Sequence, residues 1–323
     1  MPGILLTGGN GLLGRAVVRV LASKGAMAGS PLVSTDIAEP SDRVEGIEYE
    51  PLDVTDADAV TLAIRTHRPE VVVHLASIVN PGRDTTAGME YEVDVVGSRN
   101  VLAASAGAGV RRIVVSSSGA AYGYHADNPV PLVETDELRG NRAFPYSWHK
   151  RLVEEEMARY REESPAMEQV IFRIGTILGR EVDNQITALF ERDRLLRIRG
   201  SDSPFVFVWD DDVARAIARA AGPGPTGIYN VAGDGWLTID QIAAALSRPT
   251  VTVPAWLVKA GLFVGNRLGR TPHGPAQVDF LRYRPVLDNT RLKDDFGYVP
   301  EKTSLEAFEA WLEARGLGAG SGP

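Results

Sequence analysis

Along the first half of the chain, short apolar runs alternate with stretches in which apolar residues recur every three or four positions. The runs Gly3–Thr7, Leu32–Asp36, Val71–Leu75, Ile113–Ser116 and Val170–Arg173 read as strands. The stretches near Leu12–Lys24, Asp56–His67, Met89–Gly107 and Tyr146–Glu163 read as helices. Val71-Val72-Val73-His74-Leu75 and Ile113-Val114-Val115 are almost continuously apolar, as strands covered on both faces must be, so the sheet is expected to be parallel. The expected class is α/β, a Rossmann-type doubly wound parallel sheet with a smaller C-terminal α/β lobe. After about Gly175 the rhythm loosens into shorter helices, proline-containing loops and short strands such as Phe205–Val208 and Ile228–Val231. The expected division is 1–175 for the sheet domain, 176–315 for a second lobe with segments returning to the first, and 316–323 for a Gly/Ser-rich flexible tail.

Composition narrows the function classes. A chain of 323 residues buries a substantial core as one large unit or two joined lobes. Its net charge of -8, with no Lys/Arg run, argues against a nucleic-acid or anionic membrane partner. The absence of cysteine excludes disulfides, iron–sulfur clusters and thiol nucleophiles and fits a reducing compartment. Ile4–Leu6 is too short for a signal-peptide core, and the apolar stretch Pro254–Gly265 has 12 residues including Lys259, where a span needs about 20. It reads as an amphipathic helix, and a cytoplasmic protein is expected. The five histidines show no metal-ligand spacing, and Asp210-Asp211-Asp212 reads as helix capping ahead of Val213–Ala221, so no metal is assigned. Glu134 and Asp136 read as solvated loop carboxylates.

Chemistry enters with Thr7-Gly8-Gly9-Asn10-Gly11-Leu12-Leu13-Gly14, a strand end, a glycine turn and the start of an amphipathic helix. Pyrophosphate recognition needs that order: glycines let the backbone approach the ligand, and the helix start offers unpaired N–H groups. Asp36 ends the next strand, where a carboxylate accepts hydrogen bonds from an adenosine ribose diol and repels a 2′-phosphate. This favours NAD over NADP, although a nearby arginine would rescue NADP. Asp53, before Val54, reads either as a contact to the adenine amino group or as a helix cap with Asp56. Leu75 and Ala76 close a strand with residues that let a dinucleotide lie against the sheet edge, while His74 reads as a packed strand residue.

Tyr146-Ser147-Trp148-His149-Lys150 puts a phenol and an ammonium four residues apart on one helix face. A phenol that titrates near 10 works as an acid/base at neutral pH when a cation stabilises its phenolate. Ser116-Ser117-Ser118 ends a strand at the carboxyl edge, where open parallel sheets bind ligands.

These segments, with His74-Leu75-Ala76, Ser116 to Gly123, Asp212-Val213-Ala214 and Tyr229-Asn230-Val231, resemble an extended short-chain dehydrogenase/reductase of the NAD-dependent epimerase/dehydratase family, UDP-glucose 4-epimerase-like. The resemblance covers almost the whole chain. It implies that Tyr146 is the general acid/base, that Lys150 lowers its pKa and contacts the nicotinamide ribose, and that Ser118, rather than Ser116 or Ser117, holds the substrate oxygen. It assigns Gly8, Gly11, Leu12, Leu13, Gly14, Asp36, Asp53, Val54, Leu75, Ala76, Tyr146 and Lys150 to the cofactor. It implies a homodimer packed through the helices near Met89–Gly107 and Tyr146–Glu163.

Three departures bear on the substrate. The usual Val-Asn is Val93-Asp94; Thr176 stands where these enzymes often carry Asn near the substrate phosphates; and the phosphate-binding Arg is Phe205. Ser118, Thr176 and Phe205 are the substrate-side candidates. Arg180, Arg267, Arg282 and Arg284 could clamp a phosphate, though each reads more simply as a surface arginine. The expected activity is epimerisation of a sugar carbon through a bound ketone. The alternatives are a net NAD(P)-dependent alcohol dehydrogenase or ketone reductase resembling the hydroxysteroid branch, favoured by Trp256, Leu257, Leu262 and Phe263, and a non-catalytic NAD sensor.

Overall fold

The structure is a computed structural model that describes residues 3–23, 31–82, 85–268 and 274–317. The expected tail beyond 317, the end of the first helical stretch at Lys24, and His273 lie outside the described residues.

The sheet half contains β1 (Ile4–Thr7), α1 (Leu12–Ser23), β2 (Leu32–Asp36), β3 (Glu48–Pro51), α2 (Ala57–His67) and β4 (Val71–His74). It continues through α3 (Ala87–Tyr91), a π-helical turn at Glu92–Val96, α4 (Gly97–Ala108), β5 (Arg112–Ser118), α5 (Pro145–Glu163) and β6 (Glu168–Ile174). Then follow β7 (Thr176–Leu178), α6 (Thr187–Phe190), β8 (Leu195–Ile198), β9 (Phe207–Trp209), α7 (Asp210–Ala221), β10 (Gly227–Val231), α8 (Ile239–Ala245), β11 (Thr250–Val253), α9 (Ala255–Arg267), α10 (Gln277–Arg282), α11 (Thr290–Asp294) and α12 (Ser304–Ala314).

Seven strands form one parallel sheet in the order β10-β6-β5-β4-β1-β2-β3. Strand order reverses at β1, which pairs β2 on one side and β4 on the other, so the crevice for a ligand opens beyond Thr7 and His74. The continuous apolar strands are explained by burial from both sides. Val17, Val18 and Leu21 of α1 and Val213, Ala214 and Ile217 of α7 cover one face. Val60, Ile64, Val101, Leu102, Val153 and Met157 cover the other. At about 25 cal/mol per Å² of apolar surface, these two layers supply the main driving force for the sheet.

The strand expected at Ile228–Val231 is β10, and it belongs to the main sheet, paired along β6 from Gly227↔Val170 to Val231↔Ile174. Local pattern identified the strand; only its pairing shows which layer it joins. A further buried cluster gathers Phe190, Phe205, Phe207, Ile242, Phe308 and Trp311 together with Ala120 and Tyr124. The strand in it is Phe207–Trp209, two residues later than expected at the start, because Phe205 instead bridges Leu237. No residue of α9 is buried, and Trp256 and Phe263 are 68% and 56% exposed, so that helix is not part of the core. Among the described residues no helix is long and apolar enough to cross a membrane.

Candidate active site

The glycine turn is shaped by contacts that exclude side chains. Gly8 has φ +75°, and a Cβ there would lie 2.6 Å from the Ala76 amide nitrogen. A Cβ on Gly14 would overlap the Gly8 carbonyl oxygen, so α1 runs directly against the loop that precedes it. No acidic residue occupies the first turn of α1, which leaves its positive end open to an anion. Asp36 closes the loop from the next strand, its Oδ2 accepting the Asn10 N–H at 2.9 Å. Asn10, Tyr49 and Asp36 line a small recess there. Leu12 and Leu13 open α1, and Leu75 and Ala76 face the turn from the end of β4, where the Leu75 N–H donates to the Thr7 carbonyl. This cradle fits a dinucleotide pyrophosphate, with the ribose beside Asp36. Asp53 is exposed, and its Oδ1 accepts from the Thr55 N–H and hydroxyl. The helix cap is Asp56, which accepts from the Asp58 and Ala59 N–H groups, and Val54 is buried beside Gly97. Asp53 is therefore held in a local turn ahead of the helix cap.

The candidate pair Tyr146 and Lys150 sits on α5, which starts with Pro145, a residue whose missing N–H costs nothing in the first turn. Ser147 pins that end to the segment after β5: its hydroxyl donates to the Ala120 carbonyl at 2.7 Å and accepts the Asn141 N–H at 3.0 Å. Tyr146 is half-buried and Lys150 buried, with the ammonium 5.6 Å from the phenol ring centre and donating to the Ser116 carbonyl at 3.1 Å. Strand alternation separates the three serines. Ser117 turns into the protein and donates to Glu154 Oε1 at 2.5 Å. Ser118 is half-buried at the end of β5 and caps the following turn by accepting the Ala120 N–H at 3.1 Å.

Thr176 begins β7, with its N–H donating to the Val206 carbonyl. Phe205 is 1% exposed and packed among Phe190 and Phe207, so it offers no open surface to a substrate. What covers it is Arg284, whose guanidinium lies 3.6 Å from the ring centre. Arg284 is buried, donates only to the Pro204 and Phe280 carbonyls, and has no carboxylate within ion-pair distance among the described residues. Burial lowers its pKa to about 9. Tyr124 lies between it and Tyr146: burial first, then the nearby Tyr146, push the Tyr124 hydroxyl far up, and Arg284 partly offsets this. The aromatic rings Tyr124, Phe144 and Phe280 pack within 5.3 Å of one another on the same side.

Several functional neighbours escaped the sequence reading. Arg284 is not a surface residue, whereas Arg180 and Arg267 are exposed. Glu134 is buried, not solvated, and accepts the Asn230 N–H at 2.7 Å. The Asp210-Asp211-Asp212 run fills the first turn of α7, but the cap position is Trp209. Asp212 is fully buried and accepts from Tyr298, Arg215 and the Glu301 N–H. Burial, and then the Asp211 charge, raise the Asp210 pKa to about 6. One histidine does approach a metal-type grouping: His67 meets Glu50 at 3.0 Å, and ligand atoms of Glu48, Glu50 and His67 lie within 4.8 Å. These are edge-strand acids, and the grouping lies outside the crevice. The helix expected at Met89–Gly107 is broken by the π turn at Glu92–Val96, which carries the buried Asp94. Asp94 and His149, both buried, face each other at 3.2 Å. Only a fold that brings positions 94 and 149 together shows that pairing.

Comparison with known proteins places this arrangement. Residues 4–232 match the model of the NAD dependent epimerase/dehydratase family. A UDP-glucose 4-epimerase of Mycolicibacterium smegmatis is 28% identical, covering 96% of this chain and 97% of its own. An uncharacterized Mycobacterium bovis protein is 26% identical over 97% of this chain and 84% of its own. Among solved structures, Thermotoga maritima UDP-glucose 4-epimerase with UDP-glucose matches with a TM-score of 0.72 at 22% identity, covering 97% and 98% of the two chains. Thermus thermophilus UDP-glucose 4-epimerase with NAD matches with a TM-score of 0.71 at 23% identity, covering 97% and 99%.

Proposed function

The chain belongs to the NAD-dependent epimerase/dehydratase family and is an enzyme that uses NAD, and from that premise we propose that it inverts a secondary alcohol carbon of a nucleotide sugar. The glycine cradle would hold NAD, which would supply a reversible hydride acceptor for the substrate carbon, and inversion needs the hydride to come back to the opposite face of the transient ketone. Tyr146 takes the hydroxyl proton as the C–H bond is lost, giving a transient ketone, and gives the proton back when the carbonyl is reduced. Lys150 stabilises the phenolate in between, and its proximity to the ring supports that role. Ser118 holds the reacting oxygen in line from the end of β5. The cofactor contacts follow the cradle: Gly8, Gly11, Leu12, Leu13 and Gly14 at the pyrophosphate, Asp36 at the ribose, Val54, Leu75 and Ala76 along the sheet edge.

The observation that carries the substrate class is Arg284. A buried guanidinium without a carboxylate partner is expensive unless a ligand completes it, and a diphosphate supplies charge-assisted hydrogen bonds. It stacks on Phe205, so a cation is present although the family's arginine position holds a phenylalanine. The second reading, a net dehydrogenase or reductase of an apolar alcohol, is favoured by the Tyr124, Phe144 and Phe280 cluster. Cofactor stoichiometry separates them. With UDP- and dTDP-sugars, epimerised product forms without net NADH; with a secondary alcohol under the second reading, NADH absorbance rises as fast as product. Tyr146→Phe lowers turnover by at least about 1000-fold while NAD affinity stays within about threefold. Turnover within about tenfold of the parent would reject Tyr146 as the acid/base, and joint loss of both would mean that the variant misfolds. A homodimer through α4 and α5 belongs to this reading and is checked by solution mass.

A further inference from the structure

The catalytic helix is tied to the cofactor side of the sheet by a buried polar chain whose central link is Asp94. Thr7, the last residue before the glycine turn, approaches His74 Nδ1 at 2.7 Å. His74 Nε2 approaches the Ser98 hydroxyl at 3.0 Å, and Ser98 donates to the Asp94 carbonyl at 2.5 Å. Since the Ser98 proton is spent on that carbonyl, Ser98 must accept from an Nε2–H of His74, which leaves Nδ1 to accept from Thr7. The Asp94 carboxylate then reaches two further elements. Its Oδ1 accepts from the Ser77 hydroxyl at 2.8 Å and the Ile78 N–H at 2.9 Å, in the loop that leaves β4 beside the glycine turn. Its Oδ2 faces His149 Nδ1 at 3.2 Å, one residue before Lys150 and three after Tyr146. Tyr91 packs edge-on to His149 at 5.6 Å and holds the imidazole from the other side.

We infer that Asp94 and His149 are positioning residues for the hydride transfer: the pair fixes the Tyr146–Lys150 turn against the Ser77–Ile78 loop, and the Asp94 charge sets the field felt by Lys150. An amide at position 94 keeps the shape and forfeits the charge. Among the described residues, the charged and titratable groups around Asp94 are His149 and Lys150 on α5, His74 on β4 and Glu90 on α3. Burial alone would raise the Asp94 pKa, but the bond from His149, the Lys150 charge and the bonds from Ile78 and Ser77 hold it below the usual carboxylate range. Asp94 thus stays ionised across neutral pH. The inference rests on Tyr146 and Lys150 being the reacting pair proposed above.

The test uses the NAD-loaded full chain and the variants Asp94→Asn, His149→Gln and their double. In Asp94→Asn, kcat should fall about tenfold with KM within about twofold, and the midpoint of the pH–rate profile should move, because the ammonium no longer shares its field with a carboxylate. The double variant should lose no more than the worse single, as members of one unit do. Hydrogen exchange read without substrate should quicken about tenfold in Asp94→Asn at both the 146–150 and the 77–78 amides. Unchanged kcat and pH profile, losses that multiply in the double, or exchange quickened in one segment alone would overturn the inference. Failure of every sugar and alcohol with the parent enzyme would instead strike the proposed activity, and the exchange result would still decide whether the pair couples the two segments.

Discussion

Arg173 in the sheet half and Arg284 in the second lobe are both taken almost entirely out of water, and the fold treats them in opposite ways. Arg173 makes three contacts to the buried Glu154 carboxylate at 2.7–3.0 Å, donates to the Tyr122 hydroxyl at 2.8 Å and to the Glu134 carbonyl at 2.9 Å, and stacks on the Tyr122 ring. Its pKa is pushed up by the Glu154 charge in spite of burial. Arg284 has two carbonyls and an aromatic face, and its pKa is pushed down. In the sheet half Asp94, Glu154 and Arg112 each have a charged partner or several hydrogen bonds from their own chain. A charge completed within the chain serves the fold, and the incomplete charge of Arg284 is the one that the proposed substrate would complete.

The strongest challenge to that distinction is Glu154→Gln. It keeps the volume and removes the only carboxylate on Arg173 among the described residues, so unfolding free energy should drop by about 3–5 kcal/mol. Denaturant unfolding at fixed NAD measures this. A drop below about 1 kcal/mol would mean that the carbonyl and phenol partners already satisfy Arg173, and completeness would lose its meaning as a criterion.

Arg284→Met sharpens the contrast from the other side. Removing a buried, uncompensated cation and filling its space with an apolar chain should leave stability unchanged or slightly higher. For a nucleotide-sugar substrate, KM should rise about 10- to 100-fold, since one charge-assisted contact is worth roughly 1.5–3 kcal/mol. KM for a neutral secondary alcohol should not rise. If the variant unfolds as easily as Glu154→Gln and binds the sugar nucleotide normally, Arg284 is a structural residue and the substrate reading loses its main support.

These residues also mark what the sequence could reveal. The sheet was legible because a parallel strand buried on both faces must be continuously apolar, and Val71–Val73 has no polar position to misplace. The glycine turn and the Tyr146–Lys150 spacing were legible because their chemistry is local, lying within one turn or one helix face. Arg284 was not. An arginine near the end of a chain carries no mark of burial until Phe205 and Phe280 close over it from elsewhere in the chain. Asp94 was visible as a departure from Val-Asn, but its counter-group lies 55 positions away. The position of β10 depended on which strand it would pair with, and periodicity is silent on pairing.

The smallest expected effect concerns pH and separates the halves again. His74 is fully enclosed, and burial, then the Lys150 charge, lower its pKa to about 3, with Asp94 opposing. An unfolded chain would bind that proton near 6.5. Between pH 6.5 and 3 the unfolded state therefore holds a proton that the folded state refuses. This share of stability is complete above 6.5 and is lost on acidification at up to about 1.4 kcal/mol per pH unit. Arg284 contributes nothing to that slope, because a base with a folded pKa of about 9 is charged in both states throughout the acid range. His74→Gln keeps a donor for Ser98 and an acceptor for Thr7 without the titration. It should cost about 1 kcal/mol at pH 7.5. The parent's advantage should then vanish at about pH 6 and become a deficit of about 1 kcal/mol by pH 5, as chemical unfolding at several pH values would record. A difference that stayed constant over that range would show that His74 takes up its proton in the folded protein as readily as in the unfolded chain, and Nδ1 would then donate to Thr7 instead of accepting from it.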